Sequence, residues 1–135
     1  METITTWKNG LDFDSLYDGH SIALSGASGE DGKRLGFGPK ALLLSGLSGC
    51  SGIDVVDILQ KMKVPFESLE IQASADQTEE HPRVFKEITI IFRVKTAPEN
   101  KGRVQRAVDL SLQKYCGVAA MLSKHTEIIS RVEII

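Results

Sequence analysis

The sequence predicts an α+β fold in which antiparallel sheets surround a long central helix, and three observations carry that reading. An apolar-rich run extends from Pro39 to Met62, far longer than any other in the 135 residues. On its C-terminal side, Leu69, Ile71 and Ala73, then Ile88, Ile90, Phe92 and Val94, alternate with polar residues at the period of a half-buried strand. The order of elements is strands, long helix, strand hairpin, helix, helical turn and strand, which is not the βαβ repeat of a doubly wound sheet. One domain is expected, with a β-meander over 1–38, a central helix over 39–63, and a hairpin, C-terminal helices and a final strand over 64–135.

In the first segment, Ile4, Trp7, Leu11 and Phe13 and then Ser21-Ile22-Ala23-Leu24 are separated by Asn9-Gly10 and Asp18-Gly19. Such pairs accept the positive φ of tight hairpin turns, so a small antiparallel meander is expected. From Ser25 to Gly38 glycines recur without periodicity, which predicts a mobile loop. That loop lacks the Walker pattern and any strand-Gly-x-Gly-x-x-Gly-helix arrangement, so a phosphate site is not expected.

Pro39 suits the first helical position, where its missing N–H had no intrahelical partner, and Pro65 forces Val64 out of the helical region. Leu42, Leu43, Leu44, Leu47, Ile53, Val55, Val56, Ile58, Leu59 and Met62 leave almost no polar face, which predicts a helix buried all round. Ser-Gly recurs at Ser45-Gly46, Ser48-Gly49 and Ser51-Gly52, and each interior glycine costs about 0.8–1.0 kcal/mol relative to alanine. A close approach by another backbone would offset that cost, or the helix would break near Gly49 or Gly52. An unbroken helix of about 36 Å outruns a compact domain with a radius of gyration of about 14 Å, so a second subunit is expected along its length.

Beyond the hairpin, where Ile91 interrupts the polar face and predicts a covering element, Pro98 precedes a helix with Val104, Ala107, Val108, Leu112 and Tyr115 on one stripe. Gly117 predicts a break and a short helix restarting near Val118. Ile128, Val132 and Ile134 then alternate in a last strand.

Composition narrows function. Lys and Arg number 16 against 18 Asp and Glu, with no basic excess of the kind that neutralises nucleic-acid phosphates or attracts an anionic membrane. The first residues have neither a basic nor an apolar leader region, which predicts a cytoplasmic protein. Asp54, Asp57 and three glycines argue against the long helix spanning a membrane. His20, His81 and His125 form no metal-ligand spacing, and no metal or other cofactor is expected. Gly46-Leu47-Ser48-Gly49 lies inside a helix rather than at a nucleophile elbow. Asp57 and Lys61, four apart, read as a helix-surface ion pair.

The cysteines remain. A free cysteine often packs as a small hydrophobe, and the residue pattern leaves that alternative open. Cys116 sits at the start of a short helix beside Lys114, a field that favours a thiolate. Cys50 is mid-helix, with the carboxylate of Asp54 one turn away. The local argument therefore marks Cys116 as the more acidic thiol.

Thr6-Trp7-Lys8-Asn9-Gly10-Leu11, Gly19-His20-Ser21-Ile22, Pro39 leading to Ser48-Gly49-Cys50-Ser51-Gly52-Ile53-Asp54-Val55, His81-Pro82-Arg83-Val84-Phe85, Arg106-Ala107-Val108-Asp109-Leu110-Ser111 and Lys114-Tyr115-Cys116-Gly117-Val118 together resemble the OsmC/Ohr family of hydroperoxide-reducing proteins, in its OsmC-like branch. The resemblance spans almost the whole chain. It implies an intertwined homodimer with the long helices at its centre. It also implies a thiol peroxidase for organic hydroperoxides: Cys50 attacks the peroxide and becomes a sulfenic acid, Cys116 condenses with it to a disulfide, and a dithiol reduces the disulfide. This reverses the local ranking of the thiols. The family's peroxide-reducing members carry a Glu just after the helix-opening Pro and an Arg from the N-terminal part. Here Lys40 and Ala41 follow Pro39, and the N-terminal arginine is Arg34, which leaves Arg34 and Lys40 as candidates for stabilising a thiolate. Loss of the Glu also admits a different class, a non-catalytic dimer that binds an apolar ligand or senses redox state.

Overall fold

The computed structural model describes residues 1–26, 29 and 31–135; of the expected glycine-rich loop, Ala27, Ser28 and Glu30 lie outside the described residues. The chain forms two compact units, Met1–Leu43 and Leu44–Ile135.

In the first unit β1 (Ile4–Asn9), β2 (Asp12–Tyr17) and β3 (His20–Ser25) make the expected antiparallel meander. Asp18 and Gly19 carry the β2–β3 turn with φ of +47° and +77°, the conformation for which Asx-Gly is suited. Part of the glycine-rich stretch is tied to this sheet: Phe37 N–H donates to the Ala23 carbonyl and Ser25 N–H to the Phe37 carbonyl, both at 2.9 Å. A Cβ on Gly36 would overlap the Ala23 carbonyl, so this close approach requires glycine. Register and alternation put Trp7, Phe13, Tyr17, Ile22 and Leu24 on one face of the sheet. None of the described apolar side chains of this unit is buried.

The second unit contains the core. The central helix, α1 (Pro39–Lys61), is continuous through Gly49 and Gly52 and ends two residues earlier than its expected boundary at 63. Lys63 adopts φ of +55°, and Val64 N–H donates to the Leu59 carbonyl at 2.9 Å, a left-handed cap placed just before Pro65. Leu47, Ser51, Val55 and Leu59, spaced by four, form its buried stripe. Within one chain the burial is one-sided: Leu43 and Ile53 are exposed, the latter by 73%, because a single-chain sheet packs against only one side of a rod. Gly52 is packed so closely that an added Cβ would lie 2.7 Å from Ile71 Cδ1, whereas Gly46 and Gly49 face open space.

β4 (Ser68–Gln77) and β5 (Phe85–Lys95) pair antiparallel, as their alternation predicts. The final strand, β6 (Glu127–Ile134), pairs with β5 in parallel, the one parallel pairing among the described strands in sheets that are otherwise antiparallel, as expected in the main. The reason is the connection: 31 residues from Thr96 to Thr126 carry the chain back to the start of β5, and a helical crossover of that kind returns a strand parallel. Ile88, Ile90, Phe92 and Val94 of β5 share one core with Leu47, Val55 and Leu59 of α1. Burying each such side chain is worth about 1.5–3 kcal/mol. On the opposite sheet face Ile91 is half-buried, opposite Gln72 and Arg131 on the adjacent strands, while Arg93 bridges Glu70 at 2.9 Å and Glu133 at 2.8 Å.

The crossover begins with a 3₁₀ turn at Pro98–Asn100, continues as α2 (Lys101–Leu110), and widens into a π turn at Ser111–Tyr115 before α3 (Gly117–Leu122). Val104, Ala107 and Val108 of α2 are buried as expected. Tyr115 is not on that stripe: it is 54% exposed, because the π turn adds a residue before it is reached.

Candidate active site

Cys50 is held by α1. Its flanks are fixed by side chains that turn inward: Ser51, fully buried, donates its hydroxyl to the Leu47 carbonyl at 2.8 Å. Cys50 itself is half-buried.

Cys116 comes from the crossover, at the point where the helix is interrupted. Its backbone leaves the helical region at φ −73° and ψ 105°, which makes it the N-cap of α3, and its Sγ accepts from Ala119 N–H at 3.3 Å. Its own N–H donates to the Ser111 carbonyl at 2.7 Å and closes the π turn. Cys116 is 97% buried, its exposure being 3%.

The two thiols are neighbours. Both are free, Cys50 packs against the apolar core to which Cys116 belongs, and Cys50 is near enough to act on the Cys116 thiol. Burial pushes the Cys116 thiol up to about 11; the Ala119 N–H opposes the shift, while the neighbouring Cys50 reinforces it. The local argument for Cys116 as the acidic thiol is therefore overturned. Its two premises fail separately: the N-terminal position on α3 is outweighed by desolvation, and the Lys114 ammonium lies over the Tyr115 ring at 5.2 Å rather than serving the sulfur. Cys116 keeps its proton and Cys50 is the more accessible sulfur.

Asp54, one turn beyond Cys50, accepts a hydrogen bond from the buried Ser111 hydroxyl at 2.9 Å. Sequence reasoning missed Ser111. Its signal was there, a polar residue continuing the apolar stripe of Val104, Ala107 and Val108. Asp54, Ile58, Met62, Leu110 and Tyr115 also line an open cleft of about 490 Å³. The expected Asp57–Lys61 pair is formed at 2.6 Å on its rim, and that hydrogen bond, with the Asp57 charge, raises Lys61 above its ordinary range. A second groove, apolar and shallower, runs along Gly49, Gly52, Ile53 and Val56 of α1 to Leu69 and Ile71 of β4.

Arg34 and Lys40, the two cations marked from the sequence, belong to the first unit. Arg34 donates to the Ser25 carbonyl at 2.9 Å, which ties its guanidinium to the end of β3. Lys40 is half-buried in the first turn of α1. Among the described residues no three His, Cys, Asp or Glu side chains converge as metal ligands would.

Comparison with known proteins gives a consistent picture. The family model described as OsmC-like protein matches residues 29–131. The chain is similar to protein YhfA of Escherichia coli strain K12, with 37% identity over 136 residues that cover 100% of this chain and 98% of YhfA. A hypothetical protein from Aquifex aeolicus VF5 has a similar structure, with a TM-score of 0.85 and 26% identity over 99% of this chain and 95% of that one. The organic hydroperoxide resistance protein OhrB of Bacillus subtilis shares the fold, with a TM-score of 0.72 and 13% identity over 98% of each chain.

Proposed function

The chain belongs to the OsmC-like protein family, and from that premise we propose that it is a cysteine-based thiol peroxidase that reduces organic hydroperoxides as a cytoplasmic homodimer. The observation that carries the reading is a pair of free thiols at one apolar core, one accessible and one buried with its proton retained. That asymmetry suits a two-step cycle. The Cys50 sulfur attacks the outer peroxide oxygen, the O–O bond breaks, and the departing alkoxide takes a proton to leave as an alcohol, with Cys50 left as a sulfenic acid. The Cys116 sulfur then attacks the Cys50 sulfur, and the sulfenic hydroxyl leaves with the Cys116 proton as water. A dithiol reductant returns the disulfide to two thiols by exchange. Burial suits Cys116 to the second step, because a thiol that keeps its proton at neutral pH does not compete for the peroxide.

In this reading the second copy covers apolar surface that one chain leaves bare. Trp7, Phe13, Tyr17 and Ile22 on one face of β1–β3 are exposed by 38–61%, and Gly46 and Gly49 of α1 have open space beside them. A contiguous apolar sheet face with no core of its own is the usual sign of an interface. Arg34 and Lys40 are kept as the cations that would balance a Cys50 thiolate in the assembled protein.

Rapid mixing with cumene hydroperoxide, followed by peptide mass spectrometry, tests the proposal. A saturating reaction that ends in a Cys50–Cys116 disulfide and disappears in Cys50→Ser is expected; a Cys50→Ser variant that reacts as fast as the parent ends it. A second reading, a dimer that binds an apolar ligand without turnover, is favoured by the Lys40-Ala41 sequence where an acid would stand and by the apolar groove between α1 and β4. Fatty ligand carried through purification, with a slow peroxide reaction that never saturates, would select it.

A further inference from the structure

The π turn is what brings Cys116 to Cys50. On α2 the buried positions are Val104, Ala107, Val108 and then Ser111, and the next position of an uninterrupted helix stripe would be Tyr115. Ser111 to Tyr115 instead forms a π turn closed by Cys116 N–H on the Ser111 carbonyl. One extra residue is accommodated, Tyr115 is turned to solvent, and Cys116 takes the inward position.

Ser111 is fully buried and ties both sides of this arrangement together. Its carbonyl holds the Cys116 N–H, and its hydroxyl donates to Asp54 Oδ2 at 2.9 Å and lies 3.3 Å from the Ser51 carbonyl. Ser51 and Asp54 stand one and four residues after Cys50. We propose that the Ser111–Asp54 hydrogen bond fixes the register in which Cys116, rather than Tyr115, faces Cys50, so that Ser111 is a positioning residue for closing the Cys50–Cys116 disulfide. The inference rests on reading the two cysteines as a redox pair, but needs no peroxide chemistry. Any oxidant of the dithiol meets the same geometry, because two thiols become one disulfide only if their sulfurs can approach bonding distance.

The test uses the full chain equilibrated with defined ratios of oxidised to reduced dithiothreitol. In that exchange the protein dithiol loses two electrons and two protons to the reagent disulfide, and the fraction of Cys50–Cys116 disulfide is read by mass spectrometry after acid trapping. Ser111→Ala is expected to shift this equilibrium at least about tenfold towards the dithiol, which corresponds to about 30 mV for a two-electron couple. Ser111→Thr, which keeps the hydroxyl, restores it to within about threefold, while alkylation of Cys50 proceeds at the parent rate in both Ser111 variants. If Ser111→Ala does not fold, Asp54→Ala removes the same bond from its other end and carries the same expected shift. A Ser111→Ala equilibrium within twofold of the parent, or a Thr variant no better than Ala, overturns the inference and leaves the redox reading standing. A parent protein that forms no Cys50–Cys116 disulfide at any ratio overturns both.

Discussion

The segment around Cys50 and the segment around Cys116 hold the same side chain in opposite ways. Cys50 sits in unbroken α-helix, half-exposed, in a register set by regular geometry from Pro39 to Lys61. Cys116 sits where helical geometry fails twice within six residues, first in a π turn and then in a helix N-cap, and it is buried. The difference teaches that a thiol's reactivity here is set by exposure and by what surrounds it, more than by the helix end or the neighbouring lysine. A helix N-terminus at α3 and Lys114 next in line would together favour a thiolate at Cys116, yet desolvation wins.

The sharpest way to break that comparison is to measure both thiols with one reagent. The Cys116 thiol stands at about 11 against an ordinary value of 9.0, and a shift of two units lowers its thiolate fraction about 100-fold at pH 8. Iodoacetamide at pH 8 is therefore expected to label Cys50 first, with Cys116 slower than a free thiol by about 100-fold or more once burial also limits access. Peptide mass spectrometry over the time course gives both rates. Equal rates, or faster labelling of Cys116, would restore the ranking drawn from local sequence.

A smaller effect follows from the same shift in folding stability. The folded protein holds the Cys116 proton more tightly than the unfolded chain, so this contribution is complete below about pH 9 and is lost as pH rises towards 11. Two units correspond to an upper bound of about 2.7 kcal/mol, with about 1–2 kcal/mol expected in practice. Urea midpoints between pH 8 and 11 should fall in the parent and stay flatter in Cys116→Ser, while Cys50→Ser, which leaves the larger contribution from burial in place, keeps most of the parent slope. A Cys116→Ser variant with the parent slope would place the titration elsewhere.

How much of this could be read in the sequence divides along the same line. Regular elements were legible, because period and punctuation mark them: β4 and β5 from alternation, the β2–β3 turn from Asp18-Gly19, α1 from Pro39 and Pro65. The pairing of Cys50 with Cys116 rests on family resemblance; in the structure Cys50 packs against the apolar core to which Cys116 belongs. What was not legible depends on the tertiary setting. No residue announces a π turn, so the helical period alone puts Tyr115 on the buried stripe that Cys116 completes. Burial of Cys116 cannot be seen from Lys114 and Gly117. The parallel pairing of β6 depends on where a 31-residue connection lands, and the bare side of α1 depends on how many surfaces one chain has to cover it.

The smallest contrast lies on the two sides of Cys50 itself, at Gly49 and Gly52. At Gly52 a methyl would lie 2.7 Å from Ile71 Cδ1, the free end of a flexible side chain, so β4 must yield slightly. The propensity gain of about 0.8–1.0 kcal/mol for alanine then offsets much of an overpacking cost of about 1–3 kcal/mol, and Gly52→Ala should be destabilising by about 0–2 kcal/mol. Gly49 has nothing within 4 Å within the chain, so Gly49→Ala should gain the full propensity term, about 0.8–1.0 kcal/mol, if the protomer folds alone. In the proposed homodimer the sign reverses. A second copy packed on this side of α1 would meet the new methyl, and Gly49→Ala would weaken association. Unfolding midpoints measured across a hundredfold range of protein concentration, with sedimentation velocity at each end, separate the two. Gly49→Ala that is stabilising and independent of concentration would leave this side of the Cys50 helix uncovered, and the homodimer would have to be built on the β1–β3 face alone.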